Sequence, residues 1–138
     1  MHVHVEQEVA APASVVWELV GDLANAKSWP FVECYEMEGS GVGCVRTLRF
    51  VGGDRLVERL DARDAERRTY TASVLDAGNL NVRDLHYSVS VADSGADRCT
   101  IEWDASFEAE GAPAELVRGR VEGFYISTTA SIRDMLRV

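Results

Sequence analysis

From residue 31 to residue 109 the chain breaks into six short segments with alternating character: FVECYEME, CVRTLRFV, DRLVERLDAR, RRTYTASVL, VRDLHYSVSVA and RCTIEWDASFEA. Between them stand GSGVG, GGD, a DAE cluster, DAGN and DSGAD. Gly, Asp and Asn accept the backbone angles of tight turns, so each separator reads as a turn. Connections this short join neighbouring strands as antiparallel hairpins, and six in series make a meander.

The flanks complete the plan. Val3, Val5 and Val9 alternate with polar residues and predict a first strand. Pro12 is placed for a first helical turn, and Val16, Leu19, Val20 and Leu23 recur at helical spacing. Gly21-Asp22 breaks that helix, Leu23 to Ser28 forms a second short one, and Pro30 stops it. At the other end Pro113 opens a run from Ala114 to about Leu136. There Val117, Val121, Phe124, Thr128, Ile132 and Met135 fall near one face, with Glu115, Arg118, Arg120, Glu122 and Arg133 largely on the other. A sheet of this size twists rather than lying flat, and it buries the helix's apolar stripe by curling around it. The expected fold is α+β: a curved antiparallel sheet of about seven strands gripping a long C-terminal helix, with two short helices after the first strand.

A length of 138 residues favours one domain spanning residues 1–138. An apolar fraction of 46% suffices for a core, or for a core built around a cavity. The net charge of −9 argues against nucleic acid and against anionic lipid surfaces, both of which are held by Lys and Arg clusters. Cys34, Cys44 and Cys99 are odd in number and lack C-x-x-C spacing, so no disulfide framework is expected and a reducing cytoplasm fits. MHVHVEQEVAAP lacks the basic flank and apolar run of a signal peptide. No stretch approaches the roughly 20 apolar residues that span a bilayer. A soluble cytoplasmic protein without membrane insertion is expected.

The element order, Ala11-Pro12-Ala13-Ser14-Val15-Val16-Trp17, Trp29-Pro30, Val42-Gly43-Cys44-Val45-Arg46 and Glu58-Arg59-Leu60-Asp61 together resemble the START-like superfamily. This group, also called Bet v 1-like or helix-grip, includes polyketide cyclases and dehydrases, lipid-transfer domains and the plant abscisic acid receptors. The resemblance covers essentially the whole chain. Around Glu58-Arg59-Leu60-Asp61 and Glu66-Arg67-Arg68 it is similar to the receptor branch. It implies a deep, largely apolar cavity between sheet and C-terminal helix, used by family members for hydrophobic molecules. It does not name the ligand, because one fold hosts many functions.

Gly39, Gly41 and Gly43 raise the question of a phosphate cradle. A dinucleotide fingerprint needs a sixth-position glycine and a following helix, whereas Cys44 and a strand stand here. The loop reads as a hairpin whose backbone needs positive φ. His2 and His4 share a strand face as a conceivable metal pair without an evident third ligand, and they read as exposed polar residues near the terminus. No metal or cofactor is implied.

Leu56, Glu58, Leu60 and Ala62 share one face of their strand, which turns Glu58 inward. A buried carboxylate is costly unless paired, hydrogen-bonded or protonated. Two readings stand: an internal binding or acid/base group, or a structural clamp to an arginine such as Arg46 on the neighbouring strand. Tyr70, Ala72 and Val74 also share an inward face. For the next strand, alternation buries Leu85, Tyr87, Val89 and Val91, whereas the resemblance points His86 and Ser88 at the cavity. For the last, alternation buries Ile101, Trp103, Ala105 and Phe107, whereas the resemblance selects Glu102 and Asp104. A one-residue slip reverses every side chain. Polar groups line many ligand cavities, so the reading adopted follows the resemblance, and Glu58, Tyr70, His86 and Asp104 converge. Two departures count against abscisic acid: Trp29 stands where the receptors carry a cavity lysine, two residues from Lys27, and the tight Gly52-Gly53-Asp54 replaces their gating loop.

The expected function is binding of a small hydrophobic molecule, of lipid, polyketide or aromatic type. Trp29, Phe124, Tyr125 and Thr128 are expected as walls, and Glu58, Tyr70, His86, Ser88 and Asp104 as polar contacts. One rival is a polyketide aromatase/cyclase or dehydratase with Glu58 or His86 as acid/base and no redox cofactor. Another is a protein-interaction module, which an exposed apolar patch would mark. Relatives commonly dimerise, so the resemblance allows a homodimer.

Overall fold

The computed structural model describes all 138 residues, except that the side chains of residues 26–28 are outside the description; Lys27 is therefore outside the described residues. The elements follow in the order β1 (His2–Val9), α1 (Ala13–Val20), a 3-10 helix (Leu23–Ser28), β2 (Val32–Glu38), β3 (Val45–Phe50), β4 (Arg55–Asp64), β5 (Thr69–Asp76), β6 (Val82–Gly95), β7 (Arg98–Ala109) and α2 (Ala114–Leu136). The seven strands form one antiparallel sheet in the order β1-β7-β6-β5-β4-β3-β2. The meander from β2 to β7 is the consequence of its short turns. α1 and the 3-10 helix carry the chain from β1 at one edge to β2 at the other.

Register irregularities interrupt the β2–β3, β4–β5 and β6–β7 ladders, including Leu60/Ala62 and Arg83/His86. Each bulge bends and further twists its strand, which is how a sheet this wide curls. The inner face collects Leu48, Leu56, Leu60, Leu85, Tyr87, Val89, Ile101, Trp103 and Phe107 as buried residues. α2 lies across this face and packs against β1 and β7.

The buried stripe of α2 is Val117, Val121, Tyr125, Thr128, Thr129 and Ile132. Phe124 and Met135, expected on the same face, are half-buried at its side. Tyr125 takes the central place because its ring stacks on Trp103, with centroids 5.1 Å apart and planes at 17°. Thr129 is accommodated because its hydroxyl donates to the Tyr125 carbonyl (3.0 Å) and accepts from Trp103 Nε1 (3.0 Å). These two hydrogen bonds offset the cost of removing the hydroxyl from water.

Gly21 ends α1 under a steric constraint. A Cβ there would lie 2.4 Å from the Trp17 ring. Arg63 holds the same corner, with its guanidinium 5.1 Å from the Trp17 ring centroid and its Nε donating to the Gly21 carbonyl at 2.6 Å.

Candidate functional site

β3 and β4 pair so that Arg46 and Glu58 are direct cross-strand partners. Both point to the inner face by the two-residue period of a strand. Glu58 is 0% exposed and Arg46 4%. Arg46 Nη2 lies 3.1 Å from Glu58 Oε2, and Arg46 Nη1 donates to the Leu23 carbonyl at 3.1 Å. The structural clamp is thus present, and it ties the sheet to the 3-10 helix.

Two tyrosines extend the pair. Tyr87 OH donates to Glu58 Oε1, and Tyr70 OH lies 3.0 Å from Tyr87 OH. With the Tyr87 proton given to the carboxylate, Tyr70 is the donor to Tyr87. The array runs from neutral phenol to neutral phenol to carboxylate to guanidinium, and its formal charges cancel. Burial alone would lower the Arg46 guanidinium, but the Glu58 carboxylate beside it more than offsets that and holds it above its ordinary value. Burial, reinforced by the Glu58 charge, pushes Tyr70 up to about 12. The same two causes push Tyr87 well above the ordinary tyrosine value and raise Tyr125.

Above this floor the walls are aromatic. Ring contacts run without a break from Trp17 through Tyr70, Tyr87, Tyr125, Phe124, Phe50 and Phe31 to Trp29, with centroid separations between 5.3 and 6.5 Å. All of these rings but Trp17 line a cavity of about 30 Å³ between the sheet and α2. That is room for two or three water molecules, at about 10–15 Å³ each. Phe31, Phe50, Phe124 and Thr128 line this cavity and also an outer cleft of about 220 Å³ that includes Ser127 and Ser131. The three phenylalanines therefore stand between an inner chamber and a surface opening.

Trp29, Glu58, Tyr70, Phe124, Tyr125 and Thr128, six of the residues expected at the cavity from sequence, line it. His86, Ser88 and Asp104 do not. Leu85, Tyr87, Val89 and Val91 of β6 and Cys99, Ile101, Trp103, Ala105 and Phe107 of β7 are buried, so the intervening residues face outward. His86 Nδ1 lies 2.9 Å from Ser73 Oγ, which donates to Asp61, all on the outer face. Asp104 accepts from His2 Nε2 (3.2 Å) and His4 Nδ1 (3.1 Å). This hydrogen bond holds the exposed His4 above its ordinary value. The inward placement of His86, Ser88 and Asp104 is corrected, and with it the use of His86 as a cavity acid/base. Hydrophobic alternation alone gave the right register. The sequence reading did not assign Tyr87 as the partner of Glu58, nor Phe31 and Phe50 as walls. The signal for Tyr87 was its place in the Leu85, Tyr87, Val89 alternation.

The glycine loop is a turn. Gly39, Gly41 and Gly43 have φ of 78°, 70° and 90°. The Gly43 amide donates to the Leu60 carbonyl (2.8 Å) and the Cys44 amide to the Gly41 carbonyl (3.1 Å). These amides are spent on the hairpin, not offered to a phosphate. The strand neighbours of the His2/His4 pair are Asp104, Glu6 and Glu102, and His4, Glu6 and Glu102 bring donor atoms within 4.8 Å of one another on the exposed face.

No helix among the described residues is long and apolar enough to cross a membrane. Several solved structures share the fold. A putative uncharacterised protein from Bacillus thuringiensis superposes with a TM-score of 0.89 at 21% identity, covering 100% of both chains. Norcoclaurine synthase from Thalictrum flavum, in complex with dopamine and hydroxybenzaldehyde, gives 0.77 at 24% identity over 99% of this chain and 86% of its own. A protein from Thermobifida fusca gives 0.69 at 30% identity over 86% of this chain and 78% of its own. No curated protein matches the chain. The family model for polyketide cyclase / dehydrase and lipid transport proteins matches residues 1–135, in keeping with the helix-grip architecture, and this chain belongs to that family.

Proposed function

We propose that this protein binds a small, largely apolar aromatic molecule in the space between the inner face of the sheet and α2. The observation that carries the reading is an aromatic-walled cavity with a polar, charge-balanced floor of Arg46, Glu58, Tyr87 and Tyr70. Apolar walls with a few convergent polar groups are the usual make-up of a small-molecule site. The inner chamber of about 30 Å³ and the outer cleft of about 220 Å³ share the rings of Phe31, Phe50 and Phe124. Joined by rotation of those rings, they approach the lower bound of a ligand pocket, about 300 Å³. A ligand enters by moving them aside, with Trp29, Phe124, Tyr125 and Thr128 as walls and Tyr70 and Glu58 beneath.

Binding is favoured over acid/base catalysis by the Arg46 contact. Glu58 is engaged within the protein, facing the buried Arg46 guanidinium at 3.1 Å and accepting from Tyr87 OH, which suits a fixed polar floor rather than a proton shuttle. A neighbour in fold whose structure holds dopamine and hydroxybenzaldehyde supports an aromatic occupant. Native mass spectrometry after incubation with cell extract tests the reading: a bound mass released chemically intact is expected. Release of altered mass would move the assignment to an enzyme, and no bound mass from any hydrophobic extract would overturn the pocket.

A further inference from the structure

The protein buries two tryptophans against the same chamber and treats them differently. Trp103, 4% exposed, donates its Nε1–H to Thr129 Oγ1 at 3.0 Å. Trp29, 7% exposed, has no hydrogen-bond partner for its Nε1 among the described residues. Buried indole N–H groups are ordinarily satisfied, so an unpartnered one on a cavity wall points to an acceptor that arrives from outside the chain. Two more polar atoms facing this chamber lack hydrogen-bond partners among the described residues: Arg46 Nε and Glu58 Oε2, the latter close to Arg46 Nη2 but not aligned for a hydrogen bond.

The charges narrow what can arrive. Arg46 is the one cation among the lining residues, and its charge is balanced by Glu58. A carboxylate ligand would place a second anion beside Glu58 with no free cation on the wall. A cationic ligand would compete with Arg46 for its partner. A neutral molecule with a hydrogen-bond acceptor avoids both penalties and satisfies the indole. Phe31 packs 5.3 Å from the Trp29 ring at 49°, so an aromatic body can contact both rings while its acceptor meets the indole edge.

We propose that Trp29 is the specificity-determining residue of the pocket: its Nε1–H donates to the carbonyl oxygen of an uncharged aromatic ligand, so carbonyl-bearing aromatics are selected over hydrocarbons of the same shape. The inference rests on the pocket reading given above and adds to it the chemical class of the ligand's polar end.

The test uses a matched pair, acetylnaphthalene and ethylnaphthalene, titrated into the full-length protein by calorimetry. The wild type binds the ketone about tenfold more tightly, because the hydrocarbon leaves the indole unpaired. Trp29→Phe keeps a ring and removes the donor; its affinity for the hydrocarbon is retained and the preference for the ketone disappears. In the wild type, the Trp29 indole N–H resonance moves downfield with the ketone and not with the hydrocarbon, a readout that does not depend on the variant folding. Equal affinity of the wild type for the two compounds, or a preference that survives Trp29→Phe, overturns the role of Trp29 and leaves the pocket standing. Failure of both compounds to bind overturns the pocket and this inference together.

Discussion

Arg46 and Glu58 stand directly opposite each other on β3 and β4, and their charges meet 3.1 Å apart on the inner face of the sheet. Neither is reached by solvent to any useful degree. Removing one partner leaves the other charged and buried, which costs about 3–5 kcal/mol. Arg46→Met and Glu58→Gln are each expected to lower stability by roughly that amount in urea unfolding. The double variant recovers much of the loss, since two neutral side chains leave no unpaired charge. Additive losses would show that the two residues act independently.

The raised tyrosines predict alkaline sensitivity. In the unfolded chain Tyr70 ionises near 10.0, whereas in the folded protein burial and the Glu58 charge raise it to about 12. Its contribution to stability is complete below the unfolded value and is lost as pH rises from the unfolded value through the folded one. The loss for Tyr70 alone is about 3 kcal/mol at 1.36 kcal/mol per pH unit. Unfolding midpoints measured across this range are expected to fall steeply, and Tyr70→Phe to fall less. A wild-type profile flat through this window contradicts the placement.

Gly21→Ala is expected to destabilise the protein although the site is at the end of a short helix. The added Cβ would lie 2.4 Å from the Trp17 ring, so the ring and the Arg63 guanidinium above it must move. Overpacking of this kind costs about 1–3 kcal/mol. Thermal unfolding reads the loss, and an unchanged midpoint would mean that the corner yields freely.

Phe124→Ala is expected to open the passage between the inner chamber and the outer cleft, since its ring lines both. The association rate of N-phenylnaphthylamine in stopped flow should rise by about tenfold, a change within the range seen among variants of one site. A rate that is unchanged, or that falls, would place ligand access elsewhere.

Much of the fold was legible in the sequence because the local signals agreed with one another. Pro12, Gly21, Pro30 and Pro113 bound the helices, and Gly, Asp and Asn marked the turns of a meander. Glu58 was legible as inward because Leu56 and Leu60 flank it on the same face. His86, Ser88 and Asp104 were misplaced by trusting a position-by-position resemblance over alternation. The β6–β7 ladder shifts register between Arg83 and His86, with Asp84 at φ 52°. One residue of phase at such a bulge turns a carried-over side chain to the opposite face. The error then propagates, because Ser88 pairs with Asp104 and directly paired residues share a face. Phe31 and Phe50 were not legible as walls because they sit at or beside strand ends, where periodicity carries no direction and only the tertiary fold brings them to Phe124.

The central claim is that a neutral aromatic molecule occupies the interior between sheet and α2. Mapping of backbone and indole NMR resonances during titration with acetylnaphthalene tests it most directly. The account predicts shifts concentrated at Trp29, Phe50, Tyr87, Trp103, Phe124 and Tyr125, all of which line the chamber. Shifts confined to the outer face around His4, Ser73 and His86, or no shifts at saturating ligand, would contradict it.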